Sequence, residues 1–151
     1  MLRVFQLVSV LWFALVSVAM AQTQTQVMSA PDAFAAAEAD DIILIDIRSP
    51  EEWRETGVAQ GALAVTMHAA DFGANLARIM AGNPGTPLAL ICATGGRSNY
   101  VATALAQNGI TGVRDVSEGM FGNGRAPGWI ARDLPIVDAA VAFEAGRQEL
   151  Q

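Results

Sequence analysis

Leu88-Ala89-Leu90-Ile91-Cys92-Ala93-Thr94-Gly95-Gly96-Arg97-Ser98-Asn99 is the stretch from which the rest of the chain is read. The apolar run at its start is too short for a buried helix, and it predicts a buried strand ending at Cys92, the only cysteine of the chain. Two glycines and Arg97 follow, and a helical segment opens at Ser98. Strand, tight loop and helix in that order put the loop at the carboxyl end of a parallel strand. Open α/β sheets carry their sites there.

The loop has a chemistry of its own. Gly95 and Gly96 allow a sharp turn that presents backbone N–H groups inward as a nest for an anion. The amino end of the following helix adds positive partial charge at the same place. Arg97 brings a permanent cation with a fork of donors. Such a field favours a thiolate, the nucleophilic form of cysteine, and suits a cysteine that carries a negatively charged adduct. A lone cysteine after an apolar strand is otherwise commonly an inert core residue. An inert cysteine needs neither the glycines nor the arginine, so the Gly-Gly-Arg-Ser continuation favours the reactive reading.

Composition narrows the remaining classes. The chain has 151 residues, room for one domain, and a formal charge of −6. Nucleic-acid partners, which need a basic face, are excluded on that ground. All nine cationic residues are arginine, and this has no functional explanation in the sequence. A single cysteine forbids an internal disulfide. Residues 1–21 read as a secretory signal peptide, with Arg3 at the start, an apolar stretch from Val4 to Val18, and Ala19-Met20-Ala21 as the cleavage site. Cleavage after Ala21 removes one cation and no acid, moving the charge to −7. An uncleaved membrane anchor is the alternative, although the run is short for a span and Gln6 interrupts it. The cleaved protein is expected to be periplasmic or secreted, with no stable membrane insertion.

Residues 22–28 are polar and of low complexity, and predict a flexible leader; the domain is expected over 29–151. Ser29-Ala30-Pro31-Asp32 has the marks of a helix start, followed by helix over 33–39. Ile42-Ile43-Leu44-Ile45 predicts a strand buried on both faces. Ala64-Val65 predicts a short strand, and residues 71–80 a helix stopped by Gly82-Asn83-Pro84-Gly85. Residues 98–107 predict a helix ended by Gly109. Residues 112–116 predict a strand, and 138–150 an additional helix.

Several of these segments resemble one family together. Cys92-Ala93-Thr94-Gly95-Gly96-Arg97-Ser98 is similar to the active-site loop of rhodanese-type sulfurtransferases. Four residues separate Cys92 from Arg97, as in rhodaneses, whereas the related Cdc25-type phosphatases and arsenate reductases have five. Asp46-Ile47-Arg48-Ser49-Pro50-Glu51-Glu52-Trp53 resembles the family's D-x-R-x-x-x-E-[FW] segment. Gly57-Val58-Ala59-Gln60-Gly61-Ala62 resembles G-H-I-x-G-A, with Val58 and Ala59 where histidine and isoleucine are usual. Glu118-Gly119 and Trp129 resemble G-G-x-x-x-W, with Glu118 in place of the first glycine and Phe121 to Pro127 lengthening the spacing. Leu134-Pro135-Ile136-Val137 is similar to the closing L-P-V. The resemblance covers roughly residues 29–137.

The resemblance implies a single rhodanese-like α/β domain, a parallel sheet flanked by helices. It implies that Cys92 takes sulfane sulfur from a small anionic donor of the thiosulfate type and becomes a persulfide. That sulfur would pass to a thiol, a cyanide-like acceptor or a protein. The loop from Ala93 through Thr94, Gly95 and Gly96 to Arg97 would hold the persulfide. Asp46 and Arg48, at a strand's carboxyl end, are expected to pair and brace the loop, with Ser98 in support. No cofactor and no metal enters this reading. His68, the only histidine, reads as an exposed loop residue rather than a base. The Gly-rich insertion Gly122–Gly128, which holds Arg125, either borders the site and helps bind the donor or is a surface loop. Two other classes stay open: a non-catalytic binding module on the same fold, and phosphatase or arsenate-reductase chemistry, which the short loop disfavours.

Overall fold

The computed structural model describes residues 25–149. The expected signal segment and its cleavage point lie outside those residues. The elements in chain order are β1 (Gln26–Met28), α1 (Ala30–Glu38), β2 (Ile43–Asp46), α2 (Pro50–Thr56), β3 (Val58–Ala59), β4 (Ala62–Ala64), α3 (Phe72–Gly82), β5 (Leu88–Ile91), α4 (Gly96–Gln107), β6 (Val113–Val116), α5 (Gly128–Ala131), β7 (Ile136–Val137) and α6 (Ala139–Glu149). Five strands form a parallel sheet in the order β1-β6-β5-β2-β4, with helices on both faces. This is the α/β architecture expected from the sequence.

Continuous β-branched and leucine runs make the central strands, and their alternation feeds two cores. Leu44, Ala89, Ile91 and Val116 point to one face, with Trp53 of α2, Trp129 of α5 and Ala139 and Ala142 of α6. Ile45, Ile47, Leu88, Leu90, Val113 and Cys92 point to the other, with Leu76 and Ile79 of α3 and Val101 and Ala102 of α4. The β2–β5 register sets Asp46 level with Ile91. The segment carrying Asp46 and Arg48 therefore ends beside Cys92.

Local chemistry fixes the helix starts. Ser29 caps α1 by accepting from the Asp32 amide at 3.2 Å, with Pro31 in the first turn. Ser49 and Glu52 form a reciprocal capping box on α2: the Glu52 amide donates to Ser49 Oγ, and the Ser49 amide to Glu52 Oε2. Gly57 ends α2 at φ +73°, and a Cβ there would sit 2.8 Å from the Val137 carbonyl oxygen. That close approach lets β3 pair with β7.

The structure departs from the sequence expectation at several places. Residues 26–28, expected within a flexible leader, form β1, which pairs in parallel with β6 at the edge of the sheet. The strand before the loop stops at Ile91, one residue short of Cys92, and α4 begins at Gly96 rather than Ser98. The short strand expected at Ala64-Val65 is β4, centred earlier. Val58 and Ala59 are fully buried and pair with β7, so the usual histidine position here faces the core. His68 is exposed, as expected.

Candidate active site

Cys92 is 1% exposed and follows the central strand β5 directly. Three groups from the loop and the first turn of α4 converge on its sulfur. The Gly95 amide donates to Sγ at 3.2 Å and the Ser98 amide at 3.4 Å; the Ser98 hydroxyl stands 3.4 Å away. Ser98 is fully buried and also donates to the Gly95 carbonyl at 3.2 Å, which locks the turn. The amides of Ala93, Thr94, Gly96 and Arg97 have no acceptor among the described residues. The expected nest is thus present, with two amides already on the sulfur and four more around the loop.

The two glycines have different duties. Gly95 has φ +86°, and a Cβ there would lie 1.8 Å from the Ser117 carbonyl oxygen. Gly96 is the first residue of α4, has no positive φ, and a Cβ on it would meet nothing. The sharp turn therefore rests on Gly95, while Gly96 opens the helix without any conformation that requires glycine.

A second segment braces the loop from below. The amides of Met120 and Phe121 donate to the carbonyls of Cys92 and Ala93 at 2.9 and 2.8 Å. Gly119, at φ +63°, permits this approach, since a Cβ would stand 2.5 Å from the Ala93 oxygen. Glu118, 2% exposed, ties that segment to three others. It accepts from the Ala30 amide at 2.7 Å, the Gly128 amide at 2.9 Å and Arg132 Nε at 2.8 Å. Burial raises the Glu118 pKa, but these donors more than offset it and hold the carboxyl below the ordinary glutamate value.

Asp46 and Arg48 do pair, and both side chains are completely buried. Arg48 Nη2 donates to Asp46 Oδ2 at 2.7 Å, and Arg48 also donates to Thr56 Oγ1 and the Gly57 carbonyl. The pair therefore pins the end of α2 rather than gripping the cysteine loop, as had been expected. Its links to the loop are indirect: the Ile47 amide bonds the Ile91 carbonyl, and the guanidinium lies 5.8 Å from the centre of the Phe121 ring.

Arg97 stands beside the loop but is already engaged. Nη1 donates to Glu52 Oε2 at 2.8 Å and Nη2 to Glu52 Oε1 at 2.6 Å, a two-pronged, partly buried pair. The hydrogen bonds from Arg97, against the cost of burial, pull the Glu52 carboxyl down to about 2. Arg97 is raised in turn, chiefly by Glu52 and further by Cys92. The sequence assigns Glu52 no part in the site; its one local signal is the Ser-x-x-Glu capping pattern.

Sequence reasoning also left out Asp115, which is 1% exposed at the end of β6. Burial pushes its carboxyl up, against hydrogen bonds from Ser98 and Asn99. The Gly-rich insertion does border the loop. Asn123 and Arg125 share a cavity of about 520 Å³ with Thr94, Gly95, Gly96, Asn99 and Asp115.

A family model described as a rhodanese-like domain matches residues 29–123. An uncharacterised protein of Rickettsia prowazekii (strain Madrid E) is 26% identical over 103 residues, which cover 64% of this chain and 83% of that protein. Among solved structures, the polysulfide-sulfur transferase homodimer of Wolinella succinogenes matches with a TM-score of 0.58 at 24% identity, over 77% of this chain and 80% of that one. A Rhodopseudomonas palustris protein described as a possible tyrosine phosphatase matches at TM-score 0.51 and 22% identity, over 75% and 85%. At these identities the two structures speak for the fold alone.

Proposed function

The chain belongs to the rhodanese-like domain family, and on that premise we propose that it is an exported sulfurtransferase working through a persulfide on Cys92. The Cys92 thiolate attacks the outer sulfur of an anionic sulfane donor. A new S–S bond forms on Cys92, the donor's S–S bond breaks, and its electron pair leaves with the remainder of the donor, sulfite in the case of thiosulfate. A thiol or cyanide-like acceptor then takes the outer sulfur and returns the thiolate. The reading that this happens outside the cytoplasm rests on the sequence of residues 1–21.

One observation carries the proposal: the sulfur of Cys92 is met by the Gly95 and Ser98 amides at the amino end of α4, with further unpaired amides around it. Oriented N–H groups at a helix start stabilise a sulfur anion without rearrangement. Gly95 and Gly119 are both required by close backbone approaches that shape this loop. A pure binding module has no use for a cysteine held in this way. The same fold is found in the W. succinogenes protein described as a polysulfide-sulfur transferase.

Cys92→Ser keeps the shape and removes the nucleophile. Purified protein given thiosulfate or an alkyl persulfide should gain the mass of one sulfur, about 32 Da, on Cys92. It should release thiocyanate when cyanide is added. The serine variant should do neither. Equal thiocyanate production by both proteins would place the chemistry elsewhere, and hydrolysis of an aryl phosphate that depends on Cys92, without sulfur loading, would favour the phosphatase reading.

A further inference from the structure

The two arginines that the sequence motifs set beside Cys92 are held in closed ion pairs. Arg48 is consumed by Asp46 inside the protein. Arg97 is held by both oxygens of Glu52. Arg125 is exposed on the Gly-rich insertion, at the rim of the cavity and outside the loop, and makes no ion pair with Asp115, which lines the same cavity. What the loop leaves open is a set of amides and a helix start, which is provision for about one negative charge. The persulfide on Cys92 carries that charge.

Resting on the sulfurtransferase reading above, we propose that Glu52 is a specificity-determining residue. By occupying Arg97 it makes the site favour a donor that brings at most one negative charge, of the alkyl persulfide class, over a dianionic oxyanion such as thiosulfate. A dianion at the loop mouth must draw Arg97 away from Glu52. That carboxyl, held at about 2 chiefly by the hydrogen bonds from Arg97, is ionised at neutral pH and competes at full charge.

An alkyl persulfide makes no such demand. The Cys92 thiolate attacks the outer sulfur of R–S–SH, the donor's S–S bond breaks, its electron pair leaves on R–S⁻, and the proton carried on the transferred sulfur passes to that R–S⁻. The products are the Cys92 persulfide anion and R–SH. One S–S bond is made as one is broken, one negative charge enters and one remains, and no oxidant or reductant takes part. The neutral thiol that leaves needs no cation to stabilise it.

The capping box makes this testable without unfolding α2. Glutamine serves at the same capping position as glutamate, so Glu52→Gln keeps the reciprocal bond to Ser49 and removes only the charge that holds Arg97. Glu51→Gln is the control. Glu51 lies on the same helix turn, removes the same net charge, and pairs with Arg54 instead. Rates of Cys92 loading from thiosulfate and from 2-hydroxyethyl persulfide, which has no charged group besides the persulfide, are measured on wild type and both variants. Sulfate, against chloride at equal ionic strength, serves as a dianion probe by its effect on Tm, which needs no sulfur transfer.

The expected result is a thiosulfate-to-persulfide rate ratio at least about tenfold higher in Glu52→Gln than in wild type, since one oriented charge-assisted contact is worth that much. Glu51→Gln should keep the wild-type ratio. Sulfate should raise the Tm of Glu52→Gln beyond its effect on the other two, and lose that extra effect when Arg97→Gln is added. An unchanged ratio, or an equal rise in Glu51→Gln, overturns the proposal while leaving sulfur transfer intact. A chain that accepts sulfur from neither donor overturns the sulfurtransferase reading, and the donor preference with it.

Discussion

Gly95 and Gly96 are neighbours of the same type, yet only one of them answers to the backbone. At Gly95 a methyl group would collide with the Ser117 carbonyl at 1.8 Å in a left-handed conformation, and nothing but glycine fits. At Gly96 the backbone is helical and the space is open. Gly95→Ala should therefore cost at least about 2 kcal/mol in denaturant unfolding, through strain and a displaced loop, and abolish sulfur loading. Gly96→Ala should raise stability by roughly 0.4–1 kcal/mol by restricting the unfolded chain. Equal losses at the two positions would show that the loop needs flexibility rather than one fixed turn. The residue type alone does not carry this distinction, because the neighbour that decides it, Ser117, lies in the turn just after β6. The same holds for Arg97. Its place in the loop is legible in the sequence, whereas its pairing with Glu52, 45 residues away, is made only by the fold.

Among the elements, those that announce themselves locally were readable: the caps of α1, the apolar runs of β2 and β5, and the turn into α4. Helix α2 was not, because Glu51-Glu52-Trp53-Arg54-Glu55-Thr56 has one apolar residue and shows no periodicity. Strand β1 was hidden for a different reason. Gln26-Val27-Met28 has little strand character, and pairing with β6 makes it one. Glu118 belongs at this scale because it joins α1, the 119–121 brace, the Gly-rich insertion and α5. Removing it leaves two buried amides and Arg132 without their acceptor. Glu118→Ala should lower stability by about 2–4 kcal/mol and slow sulfur transfer through the loosened brace. Its folded pKa lies below the unfolded one, so the unfolded chain takes the proton first. The stabilisation is complete above about pH 4.3, the ordinary glutamate range, and is lost as pH falls through the folded value. Glu52 extends the same acid limb down to about 2. In a series of Tm against pH, Glu118→Gln should flatten the upper part of that limb and leave the part belonging to Glu52. A limb unchanged in Glu118→Gln would mean that the carboxylate charge contributes nothing to the junction.

At the scale of the whole molecule the question is where the folded unit starts. The family match begins at residue 29, yet the sheet begins at residue 26. Strand β1 covers the outer edge of β6, with Gln26, Val27 and Met28 set against Arg114, Asp115 and Val116. Met28 packs on the core under α1 and α5, its carbonyl accepts from the Ser117 amide, and Thr25 Oγ1 lies 3.1 Å from Thr103 Oγ1 on α4. Beside β6 sit Asp115 and Ser117, which border the cysteine loop. A chain beginning at Ser29 would expose the backbone of β6 as a free edge, the kind of surface on which sheets associate. It would also uncover the Asp115 carboxyl, which burial now pushes up. Compared with a chain beginning at Gln22, it should be less stable by on the order of 2 kcal/mol, from lost strand hydrogen bonds and the Met28 contact. It should also form larger species in sedimentation at high concentration. Sulfur loading should fall with it, because the loop's neighbour on β6 is no longer fixed. Equal Tm, equal loading and a monomeric boundary for both chains would show that β1 is an ornament of the edge and that the functional unit starts at Ser29.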